Sequence, residues 1–395
     1  MDGANTAVRM TALDTARAVQ SVLSEHAATT DTTAAFPVAG VAALRESGLF
    51  GLLIPRQYGG LGGDVADLVE VAQVLAAGCL STAMIWAMHC QQVDALVRHA
   101  GSRLREELLP KIARGEVYIA SVTTDSGKGG HLLTVTASLQ QSGQTVTIER
   151  DAPIVTGGEH ADGFLMTMRA TADAPDSKVS LVYVPRDQLR VETRGNWDPL
   201  GMRGTRSVGM KLTGEVPADH IVGEPGGFRA VATDSMIATG HLGWAACWLG
   251  AARSAMCDLV GLIRSPKRPQ SLNSRSDLTA ERLARARMDL ELVSAYLHRV
   301  TAEIVSHREA GISVDNPTTQ IHLNTLKVTA AEMTFQAVDR LVQLAGLSTG
   351  YLKSSTIPLE RHFRDLRSAS LNYSNDRLLT ATGTLTLLDR AVRLA

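Results

Sequence analysis

The chain has 395 residues, with 39 Lys and Arg against 40 Asp and Glu, for a formal net charge of −1. Hydrophobic residues make up 45% and charged ones 20%, ordinary globular usage with enough apolar material for two or three packing units. The two signs are mixed along the chain, which excludes the concentrated positive field that nucleic-acid or polybasic membrane binding needs. Small molecules, or further copies of the chain, are the partners to expect.

The N-terminal stretch MDGANTAVRMTALDTARAV has no long apolar run after a basic start, so no signal peptide is expected. Cys79, Cys90, Cys247 and Cys257 lie far apart in apolar, helix-like surroundings without CxxC spacing. That pattern fits buried free thiols and a reducing, cytoplasmic setting better than a disulfide framework or a zinc site.

Residues 1–112 carry helix-type spacing, with candidate helices over Thr11–Leu23, Phe36–Ser47 and Leu68–Ala77. Near residue 113 the texture changes. Val117–Thr124, Thr134–Ser138, Thr145–Glu149, Gly163–Arg169, Val179–Val184 and Val208–Thr213 are short β-type runs separated by turn-formers. Such spacing predicts a small barrel or sandwich over residues 113–225. From residue 226 to the end the helical texture returns. Ser235–Ala252 carries no formal charge and reaches the minimum length of a membrane span, but its Gly, Ala and His241 fit close helix packing better. Two long stripes follow, Ala286–Leu290–Val293–Leu297–Val300–Ile304 and Leu326–Ala330–Met333–Ala337–Leu341–Leu344, which predict bundle helices. His131, His160, His241 and His362 are scattered, with no metal-ligand spacing.

Four segments in order carry a resemblance: GLFGLLIPRQYGGLGGD at 48–64; Thr124 to His131 (TDSGKGGH); Asp198 to Thr205 (DPLGMRGT), with Gly223–Phe228 after it; and Gly350–Tyr351 followed by Pro358 to Asp365 (PLERHFRD). Together they resemble the acyl-CoA dehydrogenase superfamily over residues 40–375. The resemblance implies an α+β multidomain fold: an N-terminal helical domain (1–112), a middle β barrel (113–225) and a C-terminal four-helix bundle (226–395). It also implies a homotetramer or dimer, and FAD between the β domain and the bundle.

On that resemblance Thr123 and Thr124 meet the flavin ring edge and Thr156 stands near flavin N5, with Ile154 where many relatives have tryptophan. Ordinary strand threonines are the plain alternative. Arg264 opens a segment, RSPKRPQ, that departs from the family's Arg-x-x-Phe-Gly; its charge suits a phosphate or simply a solvated loop. Gln343 and Gly346 resemble the start of the family's Gln-x-x-Gly-Gly-x-Gly turn.

The departure that matters is at the base. Removing an α-proton from an acyl thioester calls for a carboxylate against it. Relatives carry a glutamate at one of two positions, and this chain has Tyr373 and Thr233 there. Tyr373-Ser374-Asn375 replaces the Glu-Gly-Thr triplet, which leaves Asn375 on the cofactor side. Asp376, about one helical turn on, is the nearest substitute acid, so Tyr373 and Asp376 are the catalytic candidates, and Asp234 adjoins Thr233. Gly130, His131 and Thr233 fall on the substrate side. Three readings stay open: dehydrogenation of a coenzyme A or carrier-protein thioester, a flavin monooxygenase of the same fold (with FMN in place of FAD), and a non-catalytic subunit.

Overall fold

The computed structural model describes residues 2–125 and 132–395, with side chains from Ala12 onward in the first helix. Five helices come first: α1 (Asp2–Thr33), α2 (Val38–Glu46), α3 (Val65–Gly78), α4 (Leu80–His99) and α5 (Ser102–Ala113). Asp64 fixes the start of α3 through a reciprocal capping box. Its carboxylate accepts from the Ala66 and Asp67 amides at 2.7 and 3.0 Å, and Asp67 accepts from the Asp64 amide at 2.9 Å. Helix α4 is buried on nearly every turn from Leu80 to Leu96, so it forms the centre rather than a surface stripe.

Eight strands follow: β1 (Ile119–Val122), β2 (Gln140–Ser142), β3 (Thr145–Val155), β4 (Gly163–Arg169), β5 (Val179–Pro185), β6 (Leu189–Arg194), β7 (Val208–Pro217) and β8 (Ile221–Val222). They do not close into the barrel that the resemblance implies. They make two open four-stranded sheets, ordered β1-β4-β5-β8 and β2-β3-β7-β6, each with two free edges. The burial patterns give the reason. Strands β4 and β5 are buried on both faces, as in a covered layer, whereas β3 and β7 alternate buried and accessible residues like a sheet with one face on the core. Two layers packed on each other need no continuous ring of ladder bonds. The Thr134–Ser138 run is not a strand; Ser138 alone forms a bridge, to Arg169.

The last part holds α6 (Phe228–Val231), a π-helical turn at Ala232–Met236, then α7 (Ile237–Arg264), α8 (Asp277–Glu309), α9 (Pro317–Gly346), α10 (Leu359–Arg367) and α11 (Asn375–Thr386). Both long stripes fall where expected, on the buried faces of α8 and α9. Pro317 at the first position of α9 and the Asn316 side chain, which accepts from the Thr319 amide at 3.0 Å, start that helix. The continuous helix Phe228–Arg264 is long and apolar enough to cross a membrane, yet Ala238–Ala252 is buried throughout against the protein's own α3, α4 and α9. Of the cysteines, Cys79, Cys90 and Cys247 are buried, and Cys257 is exposed, contrary to expectation.

Candidate active site

The C-terminal ends of β1 and β3 arrive side by side facing the bundle, and they carry Thr123, Thr124 and Thr156. The Thr124 hydroxyl donates to the Ile154 carbonyl at 2.9 Å and so ties one sheet to the other. Behind this corner, fully buried Arg150 donates to the Thr124 carbonyl (2.6 Å) and to Asp125 (2.9 Å). A charged fork in a dry setting holds the backbone of the corner rigid.

A row of hydroxyls runs from Thr156 into the sheet. Thr205 donates to the Met202 carbonyl at 2.9 Å, Thr205 and Ser207 oxygens are 2.9 Å apart, and Ser207 and Thr156 oxygens 3.0 Å. Each hydroxyl has one proton. With the Thr205 proton on a carbonyl, Ser207 must give to Thr205 and Thr156 to Ser207. Thr156 therefore turns a lone pair toward the crevice.

Two adjoining chambers lie over this corner, of about 660 Å³ and 450 Å³. They share Met88, Thr124, Ile154, Thr156, Asn372 and Tyr373 in their walls. The larger runs between α4, the π-turn with α7, the start of α9, and α11. The smaller is walled by Trp197, Trp248 and the loop 199–202. A flat ring with a polar edge and apolar faces fits this space: Ile154 and Met88 give apolar cover, and Thr124 and Thr156 give polar atoms at one side.

Tyr373 stands across from the threonines, in the turn between α10 and α11. Its backbone has φ of +53°, a left-handed conformation costly for a tyrosine, so its surroundings must hold it. Lys327 of α9 does this. Its fully buried ammonium donates to the carbonyls of Ala369 (3.1 Å) and Tyr373 (2.9 Å) and to Asn375 Oδ1 (2.7 Å). Burial lowers the Lys327 pKa to about 7, while Glu332 acts the other way. Burial pushes the Tyr373 phenol above its ordinary value, so it stays protonated.

On the bundle side, Thr233, Ile237, His241 and Trp244 follow one another at intervals of four, four and three, forming one wall of the larger chamber. The Thr233 hydroxyl is already given to the Arg229 carbonyl at 2.9 Å, within its own helix. The carbonyl of Met236 in the π-turn accepts from Gln91 Nε2 at 2.7 Å. His241 is buried. Its Nδ1 lies 3.2 Å from the Leu323 carbonyl, which can only accept, so Nδ1 carries the ring proton and Nε2 a lone pair. Burial first, then the charge of Lys327, lowers its pKa to about 3.

The structure thus brings Thr123, Thr124, Thr156, Thr233 and Tyr373 to one crevice. Asn375 sits just behind, bonded to Lys327 and to Glu332. Asp376 is exposed at the first turn of α11 and does not line either chamber. Asp234 is committed elsewhere, to Arg98 (2.7 Å) and His99 (2.9 Å). Arg264, Gln343 and Gly346 are exposed on the far side of the bundle helices and line neither chamber of this chain. Gly130 and His131 lie outside the described residues. Sequence reasoning passed over His241, Trp244 and Lys327. The four-four-three spacing from Thr233 was the legible signal for the first two.

Two family models match the chain: acyl-CoA dehydrogenase, N-terminal domain, over residues 6–116, and acyl-CoA dehydrogenase, C-terminal domain, over residues 242–374. The mitochondrial isobutyryl-CoA dehydrogenase of Dictyostelium discoideum is 22% identical over 85% of this chain and 78% of its own length. Among solved structures, butyryl-CoA dehydrogenase from Megasphaera elsdenii superposes with a TM-score of 0.85 at 19% identity, covering 96% of this chain and 98% of the other. FMN-bound TdsC from Paenibacillus sp. A11-2, a dibenzothiophene monooxygenase, gives the same TM-score at 21% identity, with 96% and 98% covered.

Proposed function

The chain belongs to the acyl-CoA dehydrogenase family and is a flavin-dependent oxidoreductase, and on that premise we propose that it introduces an α,β double bond into an acyl thioester. The observation that carries this reading is the chamber whose walls bring Thr124, Thr156, Tyr373 and His241 together with apolar Ile154 and Met88. When bound there, the flavin supplies the hydride acceptor for the β-carbon.

The chain's own residues supply the rest. Ile154 and Met88 line the gap with apolar surface. The proton acceptor is His241, whose ring lines the crevice and whose Nε2 keeps a lone pair; Tyr373 keeps its proton and serves as wall and donor. A histidine with its pKa near 3 is neutral at every physiological pH and also a weak base. Proton transfer to it must therefore accompany hydride departure rather than precede it. At the mouth, Arg229 and Asp315 are paired at 3.5 Å, and the Arg229 cation suits the phosphates of coenzyme A or of a carrier-protein arm. We assign Arg264, Gln343 and Gly346, which are exposed, to the flavin of another copy in a homo-oligomer. Four free thiols fit a reducing, cytoplasmic setting.

A second reading, oxygenation by reduced flavin, is favoured by one observation: among the described residues no carboxylate lines the crevice inward of Asp315. One experiment separates the two. Anaerobic mixing of the holoenzyme with acyl thioesters should bleach the oxidised flavin, and His241→Gln should slow that bleaching at least a hundredfold. Turnover that appears only with oxygen and a flavin reductase would instead establish the oxygenase.

A further inference from the structure

One helix that walls the larger chamber changes its winding there. Phe228 to Arg264 is continuous, but Ala232–Met236 winds as a π-turn between α6 and α7. A π-turn takes up about one residue more than an α-helical turn, so it offsets the helix before it from the helix after it by about 100°. Arg229 precedes the turn, Thr233 lies in it, and Ile237, His241 and Trp244 follow it; all five line the larger chamber. The offset therefore sets where the Arg229 cation stands relative to His241. Regular α-helix competes with such a turn, so its neighbours must hold it. Asp94 of α4 does so from a side that faces neither chamber: Asp94, Ser235, Thr239 and Arg308 are absent from both walls. The buried Asp94 carboxylate accepts from the Ser235 hydroxyl at 2.8 Å, the Thr239 hydroxyl at 2.6 Å and Arg308 of α8 at 2.7 Å. The same guanidinium reaches the Asp234 carbonyl at 3.3 Å, while Gln91, one turn before Asp94, holds the Met236 carbonyl. Burial works against a charge at Asp94, yet Arg308 and the two hydroxyls together hold its carboxyl below the ordinary value, so it remains an acceptor.

We propose that Asp94 is a positioning residue for the thioester: through Ser235 and Thr239 it keeps the turn π-wound, and so keeps Arg229 in register with His241. The proposal deepens the thioester reading and rests on it, including the meeting of Arg229 with the carrier's phosphates. The carboxylate itself touches no substrate. When its grip is lost, the five residues rewind as α-helix. Helix α7 stays fixed by its packing on α3, α4 and α9, so the short segment before it is the part that turns. Arg229 then leaves the mouth, while His241 and the threonine corner keep their places. Binding through phosphate is lost and the chemical step is kept.

Asp94→Asn leaves Arg308 without its counter-charge in the core and is destabilised for that reason alone. The primary probe is therefore Ser235→Ala/Thr239→Val, which removes both hydroxyls and keeps the ion pair. A crystal structure of the flavin-loaded double variant should show residues 232–236 as α-helix. Anaerobic flavin bleaching is then followed with one acyl group carried either on coenzyme A or on N-acetylcysteamine, which has no phosphate. With the coenzyme A thioester, the half-saturating concentration should rise about tenfold while the limiting rate stays within about threefold of the wild type. With the phosphate-free thioester, both should change by less than about threefold. Thr239→Ser, which keeps its hydroxyl, should match the wild type in every readout. A turn that stays π-wound in the double variant overturns the proposal. So does an equal loss with both thioesters, which is what a merely loosened fold would give, and so does a rewound turn with unchanged kinetics. If no thioester bleaches the wild-type flavin, the proposed reaction falls, and the hold of Asp94 on the turn is decided by the crystal structure alone.

Discussion

The Lys327 ammonium lies 2.9 Å from the carbonyl oxygen of Tyr373, and the same nitrogen reaches Ala369 and Asn375. A buried cation thereby pins a residue whose backbone, at φ +53°, would not choose its conformation unaided. Trp248 closes the other side, with the ammonium 5.5 Å from its ring centroid.

Lys327→Met should therefore act at a distance. Methionine fills similar volume, but three acceptors lose their donor inside the core. We expect a loss of about 3 kcal/mol in folding stability and a turnover lower by roughly ten- to a hundredfold as the Tyr373 turn relaxes. Thermal melts of the holoenzyme and steady-state rates check both. A variant that melts with the wild type would show that the turn holds itself.

The hydroxyl row makes a claim about redox potential. Thr156 spends its proton on Ser207, so it offers a lone pair to a neighbour in the crevice. Were flavin N5 to lie against Thr156, as the proposed function has it, the proton that reduction adds at N5 would meet that lone pair, and this polarity would favour the reduced form. Ser207→Ala frees the Thr156 proton to turn outward. The two-electron midpoint potential should fall by roughly 10–30 mV, the worth of one hydrogen bond of about 0.5–1.5 kcal/mol. A spectroelectrochemical titration giving an unchanged or higher potential would refute the assigned direction.

Much of this was written in the sequence, and the part that was not has physical causes. The bundle stripes on α8 and α9 are legible because an amphipathic helix repeats its apolar residues every three to four positions. Strand β6 (LRVETR) went unseen because it is a largely exposed edge with little hydrophobic signal. The barrel expectation failed because strand count and spacing do not say whether edges meet. Tyr373 and Thr233 could be singled out as replacements, yet the position of His241 opposite Tyr373 depends on how α7 packs against α9. Lys327 was invisible for the opposite reason: a lysine inside an apolar stripe reads as a surface residue, and only the carbonyls around it explain its burial.

Three buried histidines, His89, His241 and His362, have pKa values lowered to about 3, in each case chiefly by burial. In the unfolded chain they titrate near the ordinary value of 6.5, so the unfolded state binds more protons at any pH between the two. Their contribution to stability is complete above about pH 6.5 and is lost as the pH falls toward 3. By about pH 5 each should have cost roughly 2 kcal/mol. His89 is the clearest case. Its Nδ1 accepts from the Ile119 amide at 3.1 Å and its Nε2 donates to the Phe50 carbonyl at 3.3 Å, joining α4 to the first sheet. His89→Gln keeps a donor and an acceptor without a titrating proton. Denaturant melts from pH 7.5 to 5 should show a shallower acid slope for it, and identical slopes would mean that His89 does not remain neutral.

Asp365 should behave in the opposite sense. It is buried, and its Oδ1 accepts from the Met202 amide at 2.6 Å, docking α10 on the loop 199–202, where a Cβ at Gly201 would collide with the Arg364 carbonyl. Burial raises its pKa to about 6, against the pull of that hydrogen bond and of Arg361 and Arg364. A carboxyl with a folded pKa above its unfolded value stabilises the fold most below about pH 3.8, and that benefit is lost as the pH rises through 6. Asp365→Asn keeps an oxygen for the Met202 amide and removes the charge. At pH 7.5 it should be more stable than the wild type, by at most about 3 kcal/mol, and the gap should close as the pH is lowered toward 4. An asparagine variant that loses stability relative to the wild type as the pH is raised from 4 to 7.5 would show that the attraction of Arg361 and Arg364 outweighs the cost of burying the carboxylate.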